Sequence, residues 1–180
     1  WCDHHALDLP TRLRLFAEVC RTVQFAHAHM ILHCDLKPSN ILVRGGVPVL
    51  LDFGIARLID AEAPDTAGGG YMTPRYASPE QRAGQAMSTA SDIYSLGLIL
   101  DELLAPAPDD DAGSGHATRP TSARAVRDGV RWATQLRGDL DAIVRHATEK
   151  NPSQRYASAG LIAEDIERYF THMPLRARAT

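Results

Sequence analysis

A chain of 180 residues, 44% of them apolar, with a net charge of −3, suits one domain or one large lobe with a real core. That composition excludes disorder throughout, and the charges are interspersed, with no basic block to meet nucleic acid or an anionic membrane surface. The nearest thing to a membrane segment, Ile93 to Leu100, holds Tyr94, Ser95 and Gly97 and stops at Asp101, well short of the ~20 apolar residues a bilayer requires. No signal peptide is visible. Cys2, Cys20 and Cys34 are an odd set with no framework spacing, which favours thiols in a reducing cytoplasm. Metal binding by Cys2, His4 and His5 or by His27 and His29 is the competing reading, although neighbours so close in sequence do not share a helix face. Trp1 is not an initiator methionine, so the expectation is a chain that was processed, cut or copied from an incomplete reading frame.

Taken in order, Leu13, Phe16, Val19, Cys20, Val23 and Ala26 form one apolar stripe at helical spacing, predicting a helix from about Pro10 to His29. Pro10 suits its first turn. Met30 is expected in the core with Phe16. The polar stretch HCDLKPSN, residues 33–40, follows as a loop. Ile41-Leu42-Val43 and Val47 to Leu51 then read as two short strands around Arg44-Gly45-Gly46, a small hairpin. Residues 54–80 have little periodicity and read as a long irregular segment, of a kind uncommon unless functional or disordered. A strongly apolar helix is expected from about Ser88 to Leu104. Ala105 to Thr121, rich in Ala, Pro, Asp and Gly, reads as a flexible loop. Two or three helices close the chain, one near 138–150 with Leu140, Ile143, Val144 and Ala147 inward, the last near 158–170 with Leu161, Ile162, Ile166 and Tyr169 inward. No internal repeat is present.

The chemistry gathers around the hairpin. Asp35 and Asn40 share one loop, and Asp52 ends the second strand, which returns beside Asn40. Asn40 and Asp52 offer hard oxygen atoms of the kind Mg²⁺ prefers. Asp35 is left to orient a hydroxyl or accept its proton, and Lys37 to neutralise a phosphoryl group. These are the parts of a phosphoryl-transfer site, in which positioning and charge stabilisation dominate.

With these residues in place, the chain resembles the C-terminal lobe of protein kinases, most nearly the bacterial serine/threonine type. His33 to Asn40 is similar to the catalytic loop H-R-D-L-x-x-x-N, and Asp52-Phe53-Gly54 to D-F-G. Ser78-Pro79-Glu80 stands where the family has A-P-E, Thr89 to Gly97 resembles the start of the buried central helix, and Lys150 to Tyr156 the late K-x-P-x-x-R segment. The ordered set covers about residues 9–171. The resemblance implies an α+β, protein-kinase-like fold, of which this chain is the mainly helical C-terminal lobe with a small β-hairpin. The partial kinase domain spans 1–172, and 173–180 begins a C-terminal linker.

It also implies roles. Asp35 is the catalytic base, Lys37 contacts the transferred phosphate of ATP, and Asn40 and Asp52 hold Mg²⁺. Thr73 steadies the base. His33, Phe53 and Gly54 belong to the arrangement that sets the active form. Asp92 is a buried carboxylate serving the catalytic-loop backbone, and Glu80 and Arg155 form a buried ion pair. The bland alternatives are an Asx-rich turn for Asp35, Asn40 and Asp52, a solvated Lys37, a helix-capping Asp92, and unrelated surface charges at Glu80 and Arg155.

Three departures qualify the resemblance. Cys34 replaces the arginine that pairs with a phosphorylated activation segment, which puts activation at Thr66, Tyr71 or Thr73 in doubt. No G-x-G-x-x-G and no V-A-I-K-like strand occurs, so the N-terminal kinase lobe is missing from these residues. Residues 105–137 lack a clear substrate-side segment and carry the acidic Asp109-Asp110-Asp111. The expectation is a cytoplasmic protein serine/threonine kinase acting on proteins, seen as a fragment with little activity alone, from a multidomain parent whose attachment to a membrane is left open. A non-catalytic pseudokinase-like module and a small-molecule phosphotransferase are the alternatives. Lys37, Glu80 and Arg155 favour the protein substrate.

Overall fold

The computed structural model describes residues 1–53, 75–105 and 120–178. Helix α1, Leu9–Ala28, starts where the Asp8 carboxylate accepts a hydrogen bond from the Thr11 N–H, with Pro10 in the first turn. Leu9, Leu13, Phe16, Cys20 and Val23 are buried along one stripe. The helix ends at His29, and Met30 turns into the left-handed region with φ 60°. Here one expectation fails: Met30 is 94% exposed, not core. Its left-handed turn carries the side chain off the α1 stripe and into solvent.

A short 3₁₀ turn, Pro38–Asn40, leads into β1, Ile41–Arg44, and β2, Val47–Leu50. The strands pair antiparallel, Ile41 with Leu50 and Leu42 with Val49, across Gly45 and Gly46, both at positive φ. That is the geometry a two-residue hairpin turn demands, and glycine meets it without strain. Ile41 and Leu50 pack against the core, while Leu42 and Val49 face outward. The Leu51 N–H donates to the Asn40 carbonyl at 2.9 Å, drawing the strand end back to the loop that precedes β1.

Helix α2 is one turn, Pro79–Arg82, opened by a reciprocal cap between Ser78 and Gln81. Helix α3, Thr89–Leu104, capped by Ser88, runs through the core: twelve of its residues are buried, Asp92 and Asp101 among them. A further helix, α4, Thr121–Arg127, begins where the expected loop ends. Its Arg124 meets Asp101 at 2.9 Å and Thr121 donates to the same carboxylate, so a buried charge on α3 fixes α4 in place. Helix α5, Asp139–Ala147, packs on α3 at Gly97, and α6, Ala159–Phe170, packs along α1. Leu13, Leu36, Ile93, Leu100, Leu140 and Ile162 lie at the centre of the single core. The observed bounds of α1, the two strands, α3, α5 and α6 fall within three residues of those read from the sequence, whereas α2 and α4 have no such reading.

From residue 173, where a C-terminal linker is expected to begin, the described residues are packed against the lobe. Leu175 and Ala177 are buried in the core, and Arg176–Arg178 form a 3₁₀ turn against α5. Among the described residues no helix is long and apolar enough to cross a membrane, no three His, Cys, Asp or Glu side chains converge as a metal site, and the three cysteines form no disulfide.

Candidate active site

Residues 33–40 are held from below by α3. Asp92 is buried in the first turn of that helix. Its Oδ2 accepts from the His33 N–H at 2.8 Å and its Oδ1 from the Cys34 N–H at 2.9 Å. The His27 ring, from the last turn of α1, contributes its Nε2 to the same Oδ2 at 2.8 Å. A carboxylate so deep in the protein persists because these donors replace its water. Cys34 sits at φ 65°, an uncommon backbone for a residue other than glycine and worth about 1–3 kcal/mol of strain. It is fixed from both sides, its N–H by Asp92 and its carbonyl by Nε2 of Gln81 at 2.9 Å.

The His33 ring spans the loop. Its Nε2 lies 3.0 Å from the Leu51 carbonyl and its Nδ1 3.4 Å from the Asp35 N–H. Those partners assign the ring proton to Nε2. The ring packs on Phe53, centroids 4.9 Å apart. His33 thus links the Asp35 backbone to the strand that delivers Asp52.

On the half-buried surface above, the Lys37 ammonium lies 2.7 Å from Asp35 Oδ2. Asn40, buried, donates from Nδ2 to the Asp35 carbonyl at 2.9 Å and approaches Asp35 Oδ2 at 3.3 Å. Its amide nitrogen is committed in this way, which leaves the side-chain oxygen as the group a cation would meet. Asp52, at φ 50°, is exposed next to Leu51, whose N–H is tied to Asn40. The backbone therefore brings Asp35, Lys37, Asn40 and Asp52 around one short hairpin. Gly54 and Thr73 lie outside the described residues, as do Thr66, Tyr71 and Asp109 to Asp111.

A second buried constellation anchors α2. Arg155 NH1 and NH2 reach the two Glu80 oxygens at 2.7 and 2.9 Å. The same guanidinium donates to the carbonyls of Ala90, Glu149 and Lys150 and lies over the Tyr94 ring. Ser91 Oγ donates to Glu80 Oε1 at 2.8 Å. Burial raises the Glu80 pKa, but the bonds from Arg155, from the backbone and from Ser91 outweigh it and hold the carboxyl at about 2. Nearby, the Tyr76 hydroxyl donates to Glu102, and burial first, then that carboxylate, push the phenol well above its ordinary range.

His27 and Gln81 are the two members of this frame that motif spacing did not single out. Each is one polar residue at the end of a helical run, and only the tertiary fold brings them to Asp92 and Cys34.

The protein kinase domain family model matches residues 4–166. This chain belongs to the protein kinase domain family. Among curated kinases it is 34% identical to the serine/threonine-protein kinase PknB of Mycobacterium leprae, over 92% of this chain and 27% of that protein. It is 37% identical to the serine/threonine-protein kinase Pkn1 of Myxococcus xanthus, over 92% of this chain and 25% of that protein. The chain thus spans about a quarter of the length of these kinases. Among solved structures, the kinase domain of Mycobacterium tuberculosis PknI superposes with a TM-score of 0.67 at 25% identity, over 91% of this chain and 56% of that one. The fold is accordingly protein-kinase-like, mostly helical with a small two-stranded sheet, consistent with a kinase C-terminal lobe.

Proposed function

We propose that these residues form the phosphoryl-transfer floor of a protein serine/threonine kinase, and that they work together with an N-terminal kinase lobe. The observation that carries this reading is the set Asp35, Lys37 and Asn40 on one loop, joined through Leu51 to Asp52. Asp35 aligns a serine or threonine hydroxyl of a protein and takes its proton as the oxygen bonds to the γ-phosphorus of ATP. Lys37, paired with Asp35 until then, turns its ammonium to the phosphoryl oxygens as the bond to the departing ADP breaks. Asn40 keeps Asp35 in place by its bond to the Asp35 carbonyl.

The donor set fits Mg²⁺: two hard oxygens, the Asn40 carboxamide and the Asp52 carboxylate, with no soft ligand between them. Bound there, Mg²⁺ would offset charge on the phosphate oxygens. ATP and Mg²⁺ are abundant in the cytoplasm, and we place the lobe there.

The relatives' names and the anchoring of α2 by Glu80 and Arg155 both support a protein rather than a small molecule as acceptor. The test is to join these 180 residues to an N-terminal kinase lobe and supply radiolabelled ATP with a protein mixture and, separately, with small alcohols and aminoglycosides. Label in phosphoserine or phosphothreonine supports the proposal. Label confined to a small molecule overturns it, and no transfer at all returns the chain to a binding module.

A further inference from the structure

Asp165 has no part in the phosphoryl-transfer site, yet it is 0% exposed. Among the described residues it forms no ion pair, and the nearby His146 ring, which packs edge-on against Tyr156, is a basic group whose charge it favours. Its donors are the Tyr156 hydroxyl at 2.9 Å and the N–H groups of Arg176 and Ala177, both at 2.9 Å. Two of its three partners therefore come from the segment after α6. That segment is built to stay: Leu175 and Ala177 enter the core, Arg168 donates to the Pro174 carbonyl, Arg176 meets Glu164 and Arg178 meets Asp139. Gly138, at φ 90°, lies beside the Arg178 guanidinium at a backbone angle that any other residue would adopt only with strain.

The third partner faces the other way along the chain. Tyr156 follows Arg155 directly, and Arg155, with 0% of its side chain exposed, holds Glu80 of α2. Two adjacent residues thus connect the C-terminal segment to the anchor of α2. Undocking of 174–178 would strip Asp165 of two donors, and a buried carboxylate cannot persist with one hydroxyl. Asp165 must then reach for water, and Tyr156 moves with it.

We propose that residues 174–178 are an intramolecular clasp that, through Asp165, Tyr156 and Arg155, sets how firmly the lobe holds α2. A docked clasp keeps Arg155 on Glu80. A released clasp loosens α2 and, through the Gln81 bond to Cys34, the catalytic loop above it. The inference stands on packing and hydrogen bonds and does not depend on the phosphoryl-transfer reading.

The test is amide hydrogen exchange on the 180-residue chain. The N–H groups of Arg82, Ala83, Gly84 and Gln85 report on α2, those of Arg176 and Ala177 on the clasp, and the β1–β2 hairpin serves as the internal reference. Leu175→Ala, or the milder Ala177→Gly, is expected to speed exchange at the clasp and, roughly tenfold, at α2, with the hairpin unchanged. Tyr156→Phe removes only the hydroxyl that joins the two halves, so adding Ala177→Gly to it should produce no further change at α2. Faster exchange at the clasp with α2 unaffected, in the single variants, would overturn the proposal. So would equal acceleration of clasp, α2 and hairpin in both, which is the mark of global unfolding without coupling.

Discussion

Arg155 and Glu80, 75 residues apart in sequence, form a two-pronged ion pair inside the protein, with every remaining guanidinium contact made to a backbone carbonyl or an aromatic ring. A pair of this kind is far easier to break than to replace. Arg155→Ala leaves the Glu80 carboxylate buried with Ser91 as its chief remaining partner and is expected to destabilise the lobe by about 3–5 kcal/mol. Chemical denaturation measures it, and a loss below ~1 kcal/mol would contradict this account.

The same pair sets an acid limit. The Glu80 carboxyl is pulled down from an ordinary 4.5 to about 2 in the folded protein, so the unfolded chain binds the proton first as pH falls. The stabilisation is complete above about 4.5 and is lost as pH drops towards about 2. Denaturation midpoints recorded across this window should fall with pH in the native protein and fall less steeply in Glu80→Gln. Parallel profiles would remove Glu80 from the explanation.

Gly97 allows α3 and α5 to touch. A Cβ there would lie 2.7 Å from Thr148 Cγ2 and 2.8 Å from the Ala147 Cβ. Alanine improves helix propensity by up to ~1 kcal/mol, but overpacking a tight contact costs about 1–3 kcal/mol. Gly97→Ala is therefore expected to lower stability by ~1 kcal/mol or more, and Thr148→Ser, which removes the nearer methyl, to restore part of it. A stabilised Gly97→Ala would show that the helices separate freely.

The outward pair Leu42 and Val49, with Val47, Phe25 and Ile31, leaves apolar surface exposed around the hairpin and the end of α1. The 180-residue chain on its own is expected to bind a hydrophobic dye such as ANS and to bind Mg·ATP weakly, with Kd above ~1 mM. Calorimetric titration measures the second. Micromolar binding would mean that the missing glycine-rich loop is dispensable.

Cys34 occupies a left-handed backbone position fixed by Asp92 and Gln81, and a thiol cannot form the charge-assisted bonds that arginine makes to phosphate. Phosphatase treatment of an active protein carrying this lobe is expected to leave its rate within about twofold, because no guanidinium stands at this position to answer a phosphoryl group. A fall of roughly a hundredfold or more would place the phosphate-reading cation elsewhere.

Much of this was legible in the sequence because periodicity reports burial directly. The stripe from Leu13 to Val23, the apolar run Leu96 to Leu100 of α3 and the Gly45-Gly46 turn each specify one local structure. Met30 was misread because an apolar residue at a helix end follows the backbone turn, and a φ of 60° is not written in the side chain's chemistry. Helix α4 was hidden because its burial comes from Arg124 and Thr121 bonding to Asp101, polar residues without an apolar stripe. The docking of residues 174–178 was not legible because two apolar residues make no periodic stripe and the backbone N–H groups that Asp165 accepts are common to any sequence. The site residues on one loop could be read together by spacing, whereas His27 and Gln81 join them only through long-range packing.

The most direct measurement is ATP-dependent phosphorylation of serine or threonine in a protein by these residues joined to an N-terminal kinase lobe, compared with the same protein carrying Asp35→Asn or Asp52→Asn. The account predicts transfer by the unmodified lobe and loss of at least ~10³-fold in each variant, with the fold intact by circular dichroism. Undiminished turnover in either variant would contradict the assignment of the loop that holds Asp35, Lys37 and Asn40 as the working site.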